Sequence, residues 1–202
     1  GSAWAKQVFP DLEERDAIAS LAQAIFSISR VDNPDPIAAW EKHQQTLTSR
    51  QKWLNEKNFS ALRYSGPGTD LTIGLAEGHE WKGGASTSKN GITCTPNIPT
   101  EEVFTTPHSH RVDGCVRATK PLVYRGTLID GIEVEFKKGK ITKARADEGE
   151  EVFLNLLDTD EGARRLGEVA LVPHSSPISE SGLLFYNTCL LYTSPSPRDL
   201  WI

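Results

Sequence analysis

Methionine is missing from all 202 residues, the first position included. A translated protein starts with one, so the chain is expected to be an internal fragment, with Gly1-Ser2 open to being an expression scar. Cysteine is scarce. Cys94, Cys115 and Cys189 are odd in number and lack metal-type spacing, and reduced thiols in the cytoplasm are the simplest account. Long apolar runs are also lacking. None approaches the ~18 residues that a membrane span needs, and no signal-peptide pattern opens the chain. A basic excess is absent too: the net charge is −5, which argues against non-specific nucleic-acid binding. No internal repeat or low-complexity block is visible before residue 188. What remains is the composition of a soluble globular protein, 38% hydrophobic and 24% charged, long enough to bury a real core.

The first third reads as helix. Ile18, Leu21, Ala22, Ile25 and Ile28 recur at three- and four-residue steps, Asp11 can cap the start, and Asn33-Pro34-Asp35-Pro36 breaks the pattern. A second helix is expected over residues 36–57, where Trp40, Leu47 and Leu54 share a face. After Asn58 the character changes to strands. FSALRYS and DLTIGLA flank a Gly66-Pro67-Gly68 turn. Short strands are expected at 115–119, 122–124 and 127–129. A hairpin follows, in which Ile132, Val134 and Phe136 alternate with charged residues, KKGK turns the chain and ITKARA returns it. Residues 147–157 read as a helix and 161–166 as a shorter helical turn ended by Gly167. EVALV (168–172) and LLFY (183–186) read as apolar strands.

The chain is organised around NIPTEEVFTTP (97–107), closed at both ends by Pro99 and Pro107. Glu101 and Glu102 are adjacent carboxylates that repel each other, and keeping both close needs a cation, a proton or bulk water. Two readings stand side by side. Thr100 caps a helix whose first turn holds both acids, or one Glu is a metal ligand and its neighbour a proton shuttle on a metal-activated water.

The segment resembles the signature of the M29 metallo-aminopeptidase family. The resemblance extends upstream through GPGTDLTIGL (66–75). Downstream it covers RVDG (111–114), GTLIDGIEVEF (126–136), DTDEGARRLGEVALVPHSSPIS (158–179) and SGLLFYNT (181–188). It implies an α+β fold: a β-rich catalytic domain with flanking helices over residues 58–188, preceded over 1–57 by the helical end of an N-terminal domain and its linker. It implies release of N-terminal amino acids from peptides by a water activated by two divalent metals (zinc, cobalt or manganese), in the cytoplasm and, at full length, in a homodimer. Charge and hydropathy add the expectation of no nucleic-acid and no membrane partner. Carried over residue by residue, Glu102 and Glu168 are the expected metal ligands. Glu101 is the expected general base, with the roles of the adjacent pair open to exchange.

From Cys189 onward the chain departs from the family, which continues with a Leu-Phe pair, an Asp-Glu-Asn run and a metal-binding His, and later a His-x-Asp. Here SPSPR stands instead, and residues 189–202 resemble a translated sequencing adaptor, expected to pack poorly. With those ligands missing, the chain alone is expected to bind metal weakly and hydrolyse nothing at a useful rate. Substrate contacts stay unassigned. His108 and His110 form a His-x-His pair, at positions that do not match the family's ligands. His174 is expected to be substrate-side or structural, His43 to be solvated, and Arg63, Tyr64 and Asp70 to be structural, with Asp70 organising the turn through its own side chain. Two other classes remain: a metal-independent carboxylate hydrolase using Glu101 or Glu102 with Glu168, and a non-enzymatic β-rich binding module in which the acids are only caps and surface charges.

Overall fold

Where the apolar residues recur with helical period, the chain is helical. In the computed structural model, which describes residues 1–186, three helices come first: α1 (Ser2–Val8), α2 (Glu14–Ile28) and α3 (Pro36–Lys57). The helix expected over 36–57 has those bounds. Asp35 starts it, its carboxylate accepting from the Ala38 N–H at 3.0 Å, as an N-cap acid does. The α1 helix is not foreseen by the sequence. Its seven residues bury only Ala5, too little for a visible period.

Strands follow in chain order. β1 (Ala61–Gly66) and β2 (Thr69–Leu75) flank the Gly66-Pro67-Gly68 turn, and β3 (Ser86–Thr87) with β4 (Thr93–Cys94) makes a small exposed hairpin. Next come β5 (Val103–Thr105), β6 (Pro107–Arg117), the pair β7 (Leu122–Tyr124) and β8 (Thr127–Ile129), and the hairpin β9 (Glu133–Lys137) and β10 (Lys140–Arg145). Lys138 and Gly139 turn that hairpin with φ of 50° and 79°, the sign that two-residue turns matching strand twist require. α4 (Glu150–Leu157), β11 (Val169–Leu171) and α5 (Pro177–Ser181) complete the described chain. Helices and mostly antiparallel strands give the expected α+β class. Among the described residues, no helix is long and apolar enough to cross a membrane.

Two expectations are corrected. LLFY is not a strand: residues 182–185 have no regular structure. Phe185 is fully buried, and its carbonyl accepts from the Trp4 indole N–H, so this apolar run packs beside helices. Residues 161–166 form hydrogen-bonded turns, with Ala163 N–H to Asp160 O at 3.2 Å and Arg165 N–H to Gly162 O at 3.0 Å, and no helix. The adaptor-like tail lies outside the described residues.

The chain divides into two compact units. Of the described residues, one unit comprises Gly1–Gln51, Gly83–Val103 and residues 171–186; the other comprises Lys52–Lys82 and Phe104–Ala170. The sequence boundary at residue 57 follows the change from helix to strand. The units follow packing instead.

In the first unit, Ala5, Ala17, Leu21, Ile28, Ile178 and Phe185 form a core. Leu21 and Ile28 on α2 lie two turns apart and so share one face, as the apolar stripe requires. In the second unit, five antiparallel strands are ordered β1-β2-β6-β9-β10. Their inner face is Leu71, Ile73 and Leu75 on β2, Val112 and Val116 on β6, Val134 and Phe136 on β9, and Ile141 on β10, all buried. The helix α4 packs on β10 and β8 and buries Phe153, Leu156 and Leu157. Trp81 is fully buried, and Asn55 clamps its backbone: N–H to Oδ1 at 2.8 Å and Nδ2 to O at 3.1 Å.

Gly114 sits in the middle of that sheet, opposite Leu71 on one side and Phe136 on the other. Its φ is 122°, and a β-carbon there would lie 2.1 Å from the Asp70 carbonyl oxygen. Gly114→Ala is therefore expected to cost about 2–3 kcal/mol of stability, the scale of a side chain forced into a glycine-only conformation, read by urea denaturation. Tyr64, on β1, has its hydroxyl buried with no hydrogen-bond partner among the described residues, and burial raises its pKa to about 12. The folded form therefore holds a proton that the unfolded chain loses near pH 10. Tyr64 burial then supports the fold fully below pH 10, and that support is lost as pH rises toward 12. Ultraviolet titration of the native protein is expected to find a tyrosine ionising near 12, and Tyr64→Phe to remove it.

Candidate active-site segment

The α2 helix ends in a way that sets up everything around the acidic pair. Ser29 caps it, and Arg30 follows with φ of 62°, the left-handed conformation in which helices commonly terminate. The α3 helix then returns, and its second turn brings Trp40 to the same place. The Trp40 indole N–H donates to the Ser29 carbonyl at 2.8 Å. The Arg30 guanidinium lies over the Trp40 ring, 5.4 Å from its centroid, within cation–π range.

Held in this way, Arg30 meets Glu101. Nη1 donates to Oε1 at 2.5 Å and Nη2 to Oε2 at 3.0 Å, the two-pronged geometry that suits guanidinium and carboxylate. Their side chains are only 13% and 5% exposed, so water does little to screen the pair. His43 sits one turn beyond Trp40 and edge-on to it. Its Nε2 lies 2.6 Å from the Thr100 carbonyl and its Nδ1 3.3 Å from Arg30 Nη2. A carbonyl only accepts and a guanidinium only donates, so these partners select the Nε2–H tautomer with Nδ1 as acceptor. The Nε2 to Glu101 Oε1 separation of 3.8 Å is then a secondary contact.

Two expectations change here. His43 is not solvated; its side chain is 10% exposed. The acids do not open a helix either: residues 100–102 are irregular and lead into β5. Val103, Phe104 and Thr105 are β-branched or aromatic and suit a strand, with Pro107 two residues beyond. Glu101 is buried. Glu102 and Glu168 are half-buried, and each is engaged in an interaction. Glu102 immediately precedes β5 and Glu168 immediately precedes β11.

Gln44, beside His43 on α3, grips the excursion that leads to the signature. Its Oε1 accepts from the Ala85 N–H at 3.0 Å and its Nε2 donates to Thr95 Oγ1 at 3.1 Å. Neither His43 nor Gln44 stands out in the sequence, where both lie among polar residues of a helix.

The other candidates are accounted for locally. His108 and His110 lie on β6 with ring centroids 6.2 Å apart, and His108 Nδ1 accepts from the His110 backbone N–H at 3.1 Å. His174 Nδ1 is 3.2 Å from Ser179 Oγ, a contact to α5. His79 Nδ1 is 2.9 Å from the Ala76 carbonyl. Arg63 and Asp70 form an exposed two-pronged pair across the β1–β2 hairpin, at 3.1 and 3.2 Å; hydrogen bonding and charge from Asp70 raise the Arg63 pKa further.

A model of the thermophilic metalloprotease (M29) family matches residues 1–191. The chain belongs to this family. It is 57% identical over 185 residues to aminopeptidase T of Thermus aquaticus and 54% identical over 186 residues to aminopeptidase 2 of Geobacillus stearothermophilus. Each match covers 92% of this chain and 45% of the relative. The structure of wild-type AmpT from Thermus thermophilus matches with a TM-score of 0.88 at 53% identity, over 94% of this chain and 46% of that one. The M29 chain described here thus spans about half the length of the relatives it matches.

Membership in a metalloprotease family implies a metal. Carboxylates such as Glu102 and Glu168 suit a divalent ion. Among the described residues, however, no three His, Cys, Asp or Glu side chains gather as a metal site would require. The described part of this M29 chain does not complete a coordination shell.

The grip of Gln44 can be checked directly. Gln44→Leu removes both of its hydrogen bonds. Limited trypsin digestion is then expected to cut faster at Lys89, in the exposed β3–β4 turn, while cleavage elsewhere is unchanged.

Proposed function

We propose that this M29 chain is part of a metal-dependent aminopeptidase that releases N-terminal amino acids from peptides. The observation that carries the reading is the agreement of the acidic signature with the family match. The expected ligands Glu102 and Glu168, 66 residues apart in sequence, each stand immediately before a short strand, in a chain 46–57% identical to proteins named aminopeptidases. When bound, two divalent ions (zinc, cobalt or manganese) would polarise the scissile carbonyl and lower the pKa of a water.

The protein's own part is orientation. Glu102 and Glu168 would present carboxylates from segments whose direction the β5 and β11 strands fix. For Glu101 to act as general base, one of its oxygens must leave Arg30 for the attacking water. Peptides are the proposed substrates and a homodimer the proposed assembly of the full-length protein, in the cytoplasm.

The test has two arms. The 202-residue chain, supplied with zinc, cobalt or manganese, is expected to bind metal weakly and to give no turnover of an aminoacyl p-nitroanilide. The T. thermophilus enzyme with its matching stretch replaced by residues 1–186 is expected to hydrolyse that substrate, to stop on chelation and to recover when metal is restored. Within it, Glu102→Ala or Glu168→Ala should each lower kcat/KM at least about 100-fold, beyond the usual cost of losing a group that only supports a ligand. Hydrolysis that survives exhaustive chelation would point to a metal-independent carboxylate hydrolase.

A further inference from the structure

The Arg30–His43–Glu101 cluster lies inside one compact unit and ties three distant stretches of sequence together. Two of its members have no part in the chemistry expected of the family signature, and the third is expected as its base. Each Glu101 oxygen already accepts from a guanidinium nitrogen. The neighbouring Thr100 carbonyl is held by His43, so side chain and backbone of the same dipeptide are fixed from one side. The holding group is itself held: Trp40 stacks under Arg30 and ties to the end of α2. Such an arrangement restricts motion. A proton shuttle needs a carboxylate able to turn between water and leaving group, and this one is clamped.

We propose that Glu101 is an anchor and not the general base, and that Arg30 and His43 are positioning residues. Together they fix residues 100–102 so that Glu102 is presented in one orientation. This rests on the aminopeptidase reading for its functional consequence, but its structural core can be tested without any activity. The logic is that of supported active-site groups, whose orientation depends on partners that never touch substrate.

In the 202-residue chain, Arg30→Met leaves the Glu101 charge buried without its guanidinium. Loss of one partner of a buried pair is the costly case, and the Tm is expected to fall on the order of 10 °C. Arg30→Met/Glu101→Leu removes both charges and is expected to recover at least half of that fall. A double variant as unstable as the sum of the singles would overturn the anchor. Should Arg30→Met not fold, Glu101→Gln supplies the second measurement: Gln still accepts from Arg30, so amide exchange at residues 100–103 should rise by less than about tenfold.

In the T. thermophilus chimera, rank order decides. For an anchor, Arg30→Met lowers kcat more than Glu101→Gln does, KM changes less than kcat, and Arg30→Lys restores part of the loss. For a base, Glu101→Gln is the worse variant, by the 10²- to 10⁴-fold typical of a lost proton acceptor, with Tm unchanged; that result overturns the proposal. A chimera with no peptidase activity would instead count against the aminopeptidase reading, and the Tm comparison would still decide the anchor.

Discussion

A buried ion pair needs its surroundings more than they need it. Taking Arg30 and Glu101 out of water costs several kcal/mol for each ion, and their attraction repays this only where geometry and extra hydrogen bonds are good. Here both conditions are met: two parallel N–H to oxygen contacts, an aromatic face under the guanidinium and an imidazole at its flank. The pair therefore favours one arrangement of α2, α3 and the signature. Any arrangement that separates them leaves a charge in an apolar place.

That dependence explains the local structure better than helix propensity does. Adjacent acids after a Thr suit a helix start, yet a helix beginning at Thr100 would keep its acids in its first turn beside its own N–H groups. In the fold the first acid turns inward to a cation 71 residues earlier, and the chain continues as a strand. Burial on one side separates the neighbours in character: Glu101 is taken up by the interior, and Glu102 remains half-buried. The electrostatic problem of two adjacent carboxylates is eased by a guanidinium before any metal is considered.

How much of this was legible from residues alone depends on the range of the signal. The α3 helix was readable because Trp40, Leu47 and Leu54 repeat every seven residues, and the β9–β10 hairpin because strict alternation and a Lys-Gly turn leave little choice. The paired acids were visible as a motif. Their partner was not. Nothing near Arg30 marks it as buried, since it follows a helix end and precedes a Pro-rich break. His43 stands between Lys42 and Gln44, where a polar surface is the natural expectation, and only the return of α3 against residues 95–101 gives it a carbonyl to bind. The LLFY run misled for a related reason: a short apolar stretch carries no period, so burial against helices and burial in a sheet look alike.

The conformation of Arg30 has one more consequence. The residue just past a helix cap, with positive φ, is where glycine is favoured, and any residue with a β-carbon is strained there by roughly 1 kcal/mol. Replacing Arg30 with glycine would relax the backbone while abolishing the clamp, so two opposite effects would partly cancel in a melting curve. The strain relieved is smaller than the cost of leaving the Glu101 charge without its guanidinium, so glycine at this position would offset only part of the loss of stability. An idealised helix end would exchange the guanidinium for backbone comfort and leave the chain less stable than one that keeps the strained arginine.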